Sequence, residues 1–224
     1  LIGRIRSGNL RGLNVTIPHK QTAIQFVDEL TPTATAIGAV NTLYSRDNKI
    51  IGDNTDAAGF LKDLERFMPI PASALVLGAG GGARAIVHAL RAKGCSTSVA
   101  ARRPEQAEGL ARQFVGVRAI SMTVDALSRV NAELVINATS AGMSPTNHGC
   151  AWPDGLAFPK GAAVYDLIYS PPATRLIRSA RAAGLRATNG LGMLIEQAAM
   201  AFELWTGVVA DRQLLVDTIQ QRAG

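Results

Sequence analysis

Short apolar runs separated by helical periodicities fill the middle of the chain. Residues 74–77 (Ala-Leu-Val-Leu) are too few for a helix and end at a glycine cluster, so they read as a buried strand. Residues 83–93 place Ile86, Val87 and Leu90 on one side and stop at Gly94, which predicts a helix. The alternation continues with a strand at 97–100, a helix over 106–114 just after Pro104, and strands at 134–136 and 163–167. A further helix covers 174–183 and ends at Gly184. Apolar strands separated by helices of this length predict a parallel sheet covered on both faces. That unit is expected over residues 58–193.

The first fifty-odd residues have a different texture. A strand at 13–17 is stopped by Pro18, a helix covers 21–27, and strands at 39–44 and 49–52 flank the turn Arg46-Asp47-Asn48. The tail reads as helical at 194–210 and again at 212–220. The break between the two textures falls near residues 57–60, with a second crossing near Gly192. The expected fold is therefore α/β with two domains. A doubly wound parallel sheet of the Rossmann type spans 58–193, and a smaller, discontinuous α/β domain is built from 1–57 with 194–224.

Composition narrows the class. Of 224 residues, 47% are hydrophobic and 18% charged, enough core material to exclude disorder. The longest apolar runs fall well below the roughly 18 residues of a membrane span. No signal peptide opens the chain, so a cytoplasmic location and no membrane partner are expected. The first residue is Leu1, without a start signal, and the chain is expected to begin inside a longer natural sequence. Cys95 and Cys150 are too few for a disulfide framework or a four-ligand zinc site, and His19, His88 and His148 form no H-E-x-x-H pattern, so no metal is expected. The net charge is +6, but the basic residues are scattered and aromatics are only 5%, which argues against nucleic acid and leaves a small anionic ligand. A homodimer is left open.

The glycine cluster carries the first chemistry. Gly78-Ala79-Gly80-Gly81-Gly82-Ala83 fits G-x-G-x-x-A between a strand and a helix. The first glycine permits the tight turn, the second lets the backbone approach a pyrophosphate, and Ala83 allows close helix–strand packing. The helix N-terminus then offers unpaired N–H groups to the anion. NAD would call for an acid at the end of the next strand, whereas this chain has Ala100-Ala101-Arg102-Arg103. Two guanidinium groups suit a 2′-phosphate, so NADP is the expected cofactor, with Arg103 free to face solvent.

Three further runs stand out: the first places a lysine just past the proline-stopped strand, and the other two put small polar side chains at strand ends beside glycines, where a ligand can come close. They are Asn14-Val15-Thr16-Ile17-Pro18-His19-Lys20, Ala39-Val40-Asn41-Thr42 and Asn54-Thr55-Asp56-Ala57-Ala58-Gly59. Together with the glycine loop, Asn137-Ala138-Thr139-Ser140-Ala141-Gly142-Met143, Asp166-Leu167-Ile168-Tyr169-Ser170-Pro171 with Thr174, and Gly190-Leu191-Gly192-Met193-Leu194 with Gln197, they resemble the shikimate dehydrogenases, in the family's order from about residue 10 to the end.

The resemblance implies reversible reduction of 3-dehydroshikimate to shikimate by NADPH, with the discontinuous domain carrying the substrate. Lys20 corresponds to the catalytic lysine and Asp56 to its carboxylate partner. Thr16, Asn41, Asp56, Tyr169 and Gln197 are implied to hold the substrate. Residues 78–83, Arg102 and Arg103 are implied at the phosphates, Thr139 and Ser140 beside the cofactor, and Leu167, Gly190 and Met193 at its nicotinamide end. His19 and His148 are passed over, the first as a neighbour of Lys20 on the opposite face of a strand, the second as a loop residue. Two departures stand out. The family's basic loop reads N-R-T-x-x-R, and here Ala101, Arg103 and Gln106 replace its Asn, Thr and second Arg. The family's S-x-S-x-x-x-H-N segment, whose serines hold the substrate carboxylate, has no match before Leu13, so the chain is expected to lack it. The rival readings are a quinate or aminoshikimate dehydrogenase, and a non-catalytic NADP-binding sensor module.

Overall fold

The computed structural model describes residues 1–145 and 148–223, with side chains through residue 219. Thr146, Asn147 and Gly224, which fall within the expected domain ranges, lie outside the described residues. The chain divides into two compact units, Leu1–Asp63 with Gly192–Gly224, and Leu64–Leu191.

The first unit opens with α1 (Ile2–Arg6) and β1 (Gly12–Asn14), followed by a 3-10 turn (Thr22–Phe26), β2 (Glu29–Leu30) and α2 (Pro32–Ile37). Strands β3 (Thr42–Arg46) and β4 (Lys49–Asp53) then form a hairpin, and α3 (Asp56–Phe67) leaves it. The sheet order is β1-β3-β4-β2, with β2 alone running parallel to its neighbour. Ile5, Ala34, Val40, Leu43 and Ile50 make its buried core.

Several expectations shift here. The strand foreseen at 13–17 ends at Asn14, because its ladder partner β3 begins at Thr42, opposite Asn14. Residues 39–41 are a connection rather than a strand, since Gly38 closes α2 at a positive φ of 67° and the chain must turn before pairing. The helix foreseen at 21–27 tightens to the 3-10 turn. Helix α2 was not foreseen, although its caps are written in the sequence. Thr31 Oγ1 accepts from the Ala34 N–H at 3.2 Å, Pro32 opens the first turn, and Gly38 closes the last.

The second unit is a six-stranded parallel sheet. Strand β5 (Ser73–Leu77) leads into α4 (Gly81–Ala92), β6 (Ser96–Ala101), α5 (Pro104–Gln113), β7 (Arg118–Ser121) and α6 (Val124–Ser128). Strand β8 (Leu134–Asn137), β9 (Ala163–Asp166), α7 (Arg175–Ala182) and β10 (Ala187–Asn189) complete it. The order β10-β9-β8-β5-β6-β7 is that of a dinucleotide-binding Rossmann sheet, whose order reverses between β5 and β8. Leu75, Leu77, Val135 and Val164 are fully buried between the helices, which is why these strands read as unbroken apolar runs.

Helices α8 (Leu191–Thr206) and α9 (Arg212–Ala223) return to the first unit. The divisions between units fall at Asp63/Leu64 and Leu191/Gly192. The first lies inside α3, a helix the sequence reading had not set out, and the second places Met193 in the first unit. A Cβ at Gly59 would stand 2.9 Å from the Gln197 nitrogen and 3.1 Å from the Met193 carbonyl oxygen, so this glycine lets α3 and α8 pack backbone to backbone. Trp205 on α8 lies over Gly12 of β1 and donates its indole N–H to the Leu43 carbonyl at 3.1 Å. No helix among the described residues is long and apolar enough to cross a membrane.

Candidate active site

In the first unit, Lys20, Asn41, Asp56 and Gln197 come from four separate segments and meet through hydrogen bonds. Lys20 follows the turn after β1, Asn41 precedes β3, Asp56 is the first residue of α3, and Gln197 lies on α8. The Lys20 ammonium donates to Asp56 Oδ2 at 2.7 Å, with the lysine side chain 15% exposed and the aspartate 3%. Asn41 Nδ2 donates to Asp56 Oδ1 at 3.0 Å, to Gln197 Oε1 at 3.1 Å and to Thr55 Oγ1 at 2.9 Å. Asp56 thus has one oxygen on the lysine and the other on the amide. Its place on the first turn of α3 adds the favourable end of the helix dipole to its negative charge.

The orientation of the Asn41 amide is settled by a donor that cannot reverse. The Thr55 backbone N–H reaches Asn41 Oδ1 at 2.8 Å, and the Thr42 hydroxyl donates to the same oxygen at 3.0 Å. The nitrogen therefore faces Asp56 and Gln197. Asn54 sets the start of α3 in turn, its Oδ1 accepting from the Asp56 N–H at 3.0 Å and its Nδ2 donating to the Ala39 carbonyl at 3.0 Å. Thr42, Asn54 and Thr55 were quoted in the sequence runs but given no task; their adjacency to Asn41 and Asp56 was the available signal. Among the described residues the Lys20 ammonium has Asp56 as its one hydrogen-bond partner, so two of its three N–H bonds remain for a ligand oxygen. Thr16 sits exposed in the turn leading to Lys20, its carbonyl accepting from the His19 N–H at 2.9 Å. His19 is exposed in that turn and not on a strand.

In the second unit, the turn from β5 to α4 distinguishes its glycines physically. Gly78 has φ +109°, and a Cβ there would stand 3.0 Å from both the Ala138 carbonyl oxygen and Thr139 Cγ2, so the fold itself demands glycine. Gly80 has φ −79° and ψ −174°, which any residue adopts, and a Cβ there would meet nothing within 4 Å. Gly82 would bring its Cβ only to ordinary contact with Leu167, at 3.5 Å. The space over Gly80 is thus open, and Gly80 caps α4 without any side chain, leaving the first-turn N–H groups directed outward. These features fit a pyrophosphate. Ala79, Gly81 and Gly82 line the same half-buried turn, while Ala83 is fully buried beneath it. Arg102 and Arg103 follow the end of β6, both exposed and with no side-chain hydrogen bond or ion pair among the described residues, and fit a further phosphate.

Next to this turn, at the switch in strand order, lie the segments after β8 and β9. Thr139 and Ser140 are half-buried, and the Thr139 hydroxyl donates to Asn137 Oδ1 at 2.7 Å. Leu167 is half-buried, and its carbonyl lies against Gly190, where a Cβ would collide. Tyr169 is 45% exposed. Met193 is buried on the first turn of α8 in the first unit. Asp166, assigned no role from sequence, is fully buried and accepts three hydrogen bonds. Burial raises its pKa above the ordinary carboxylate value, and the bonds from Thr174, Ile168 and Asn137 offset part of that rise.

The comparisons with known proteins agree across the chain. A model of the shikimate dehydrogenase substrate-binding domain matches residues 1–43, one of shikimate/quinate 5-dehydrogenase residues 66–147, and one of the shikimate 5′-dehydrogenase C-terminal domain residues 190–220. The NADP(+) shikimate dehydrogenase of Salinibacter ruber is 42% identical over 217 residues, covering 92% of this chain and 76% of that protein. The chain belongs to the shikimate dehydrogenase family. The solved shikimate 5-dehydrogenase of Thermus thermophilus, in complex with NADP(H) and shikimate, superposes with a TM-score of 0.82 at 41% identity over 95% of this chain and 80% of that one. Quinate dehydrogenase from Corynebacterium glutamicum, in complex with NAD, reaches a TM-score of 0.86 at 31% identity over 98% and 81%. The shikimate dehydrogenase architecture therefore does not by itself separate shikimate from quinate.

Proposed function

We propose that the protein interconverts shikimate and 3-dehydroshikimate with NADP(H), an oxidoreductase step on the route to chorismate and the aromatic amino acids. The observation that carries this is the Lys20–Asp56 pair at 2.7 Å, with Asn41 and Gln197 joined to it. Bound NADP(H) supplies the hydride acceptor or donor. Lys20 hydrogen-bonds the substrate oxygen that changes between hydroxyl and carbonyl. In the reducing direction its ammonium stabilises the developing negative charge and gives up a proton; in oxidation the amine takes that proton back. Asp56 holds the amine in place and neutralises its charge when protonated. Asn41 and Gln197 offer amide groups to the ring hydroxyls, as do Thr16 and Tyr169 through theirs.

Residues 78–83 hold the pyrophosphate, Arg102 and Arg103 the 2′-phosphate, Thr139 and Ser140 flank the cofactor, and Leu167, Gly190 and Met193 meet its nicotinamide end. The protein acts in the cytoplasm on a small anionic substrate, without nucleic acid or a membrane. A sensor module that only bound NADP would have no use for four convergent side chains in the other unit. Quinate as substrate remains the second reading, favoured by the similarity to a quinate dehydrogenase. Formation of reduced cofactor, measured with shikimate and quinate against NADP⁺ and NAD⁺, tests both. The expected result is turnover with shikimate and NADP⁺. Turnover with quinate alone would move the assignment to the second reading, and silence with all four pairs in a protein that binds NADPH would leave the sensor.

A further inference from the structure

We propose that Asp166 is a positioning residue that locks together the two segments at which the cofactor's reacting end is placed, the one after β8 and the one after β9. The proposal rests on the cofactor assignment above and adds to it a residue that makes no contact with the ligand.

Asp166 and Asn137 are the last residues of adjacent parallel strands and stand opposite each other in register. Both are fully buried. Asp166 Oδ1 accepts from Asn137 Nδ2 at 2.8 Å and from the Ile168 N–H at 3.1 Å, and Oδ2 accepts from the Thr174 hydroxyl at 2.6 Å. Asn137 spends its remaining capacity on its own loop. Nδ2 also donates to the Ala141 carbonyl at 3.1 Å, and Oδ1 accepts from the Thr139 N–H at 3.0 Å and its hydroxyl at 2.7 Å. Thr174 in turn caps α7, its Oγ1 accepting from the Ile177 N–H at 3.3 Å. One carboxylate therefore ties residues 139–141 to residues 168–174, and these segments carry Thr139, Ser140 and Tyr169. Leu167, between Asp166 and Ile168, is held by the same turn and reaches over the glycine turn at Gly82.

The choice of a carboxylate is otherwise costly. Among the described residues no basic group shares its hydrogen bonds, and a buried charge without a counter-ion is disfavoured. What it supplies is acceptor capacity toward donors that are already committed. The Ile168 N–H cannot turn round, the Asn137 amide is fixed by Thr139, and the Thr174 oxygen is engaged at the helix cap. An asparagine at 166 would keep the two bonds at one oxygen and could donate to Thr174 Oγ1 at the other position. An alanine would lose all three.

The test compares the parent with Asp166→Ala, Asp166→Asn and Thr174→Val. NADPH dissociation constants are read from cofactor fluorescence, and steady-state KM values from turnover of shikimate with NADP⁺. The loss of one charge-assisted hydrogen bond sets the scale at about tenfold. Asp166→Ala is expected to weaken NADPH binding by about tenfold or more and to raise KM for NADP⁺ alike, with KM for shikimate raised by a smaller factor, through Tyr169 alone. Asp166→Asn is expected to recover most of the affinity, and Thr174→Val to shift it in the same direction as alanine. Thr174→Val keeps the result decisive if Asp166→Ala fails to fold. Folded Asp166→Ala or Thr174→Val proteins with the parent's NADPH affinity would overturn the proposal, as would equal rises in both KM values. A parent that binds NADPH but does not turn over shikimate would sink the catalytic assignment alone, since the binding comparison still decides the role of Asp166.

Discussion

The pair Gly78 and Gly80 separates what the fold requires from what a ligand requires. Gly78→Ala places a Cβ on a residue at φ +109°, and 3.0 Å from both the Ala138 carbonyl oxygen and Thr139 Cγ2. Backbone strain of about 1–3 kcal/mol and overpacking of similar size give a loss of about 2–6 kcal/mol. At about 2–4 °C per kcal/mol for a chain of this size, the unfolding midpoint should drop by about 4–24 °C. Gly80→Ala meets neither obstacle, since its backbone is extended and its Cβ would be in open space. Loss of chain entropy in the unfolded state stabilises it by about 0.4–1 kcal/mol, and the poorer helix cap offsets that by a similar amount. Its stability should therefore stay within about 1 kcal/mol of the parent. The added methyl instead occupies the approach to the pyrophosphate. A clash of about 1–3 kcal/mol there corresponds to NADPH binding weakened roughly 5- to 150-fold. Thermal unfolding and NADPH titration on both variants read the two effects separately. Gly80→Ala binding NADPH as tightly as the parent would refute the placement of the phosphates over Gly80.

Other consequences follow from the same geometry. Arg102→Ala should raise KM for NADPH and leave that for NADH nearly unchanged; equal rises would remove Arg102 from the 2′-phosphate. Arg212 on α9 bridges Glu196, which is buried, at 3.1 Å and Glu203 at 2.9 Å, both on α8. Arg212→Ala should cost about 2–3 kcal/mol, and a midpoint lowered by less than about 2 °C would contradict that. Asp166 has its pKa raised in the fold, so the stability it contributes is full below the ordinary carboxylate value of 3.8 and is lost as pH rises through the raised value. Asp166→Asn should thus gain stability relative to the parent from acid toward neutral pH in denaturant titrations, and a constant difference would argue against a raised pKa.

The parallel sheet was legible because β5, β8 and β9 are buried on both faces and carry Ser73, Asn137 and Asp166 only at their ends, where they do not break the apolar runs. The strands and helices at its margin were not. β7 is a four-residue edge strand of mixed character, Arg118-Ala119-Ile120-Ser121, and β10 only Ala187-Thr188-Asn189. Neither offers a period long enough to read. Helix α3 buries Ala57, Phe60 and Leu64 at helical spacing, but it overlaps the Asn54–Gly59 motif and holds a glycine, so the motif hid the helix. The glycine turn and Arg102-Arg103 were readable from their own chemistry, and the other residues proposed to touch ligands were named through the family resemblance, because reactive side chains stand in short motifs. Thr42, Thr55, Asn137 and Asp166 act by orienting those residues or their loops, and such a role depends on contacts across strands, which linear spacing does not encode.

In the proposed reaction Lys20 is the group that moves the proton. Turnover of shikimate by Lys20→Ala, measured beside the parent and with NADPH binding read in the same preparation, tests it most directly. The expected result is turnover lower by roughly 10²- to 10⁴-fold with NADPH affinity retained, and no recovery in Lys20→Arg, whose guanidinium does not release its proton. Turnover within a few-fold of the parent would contradict the assignment, and so would a loss of NADPH binding as large as the loss of turnover.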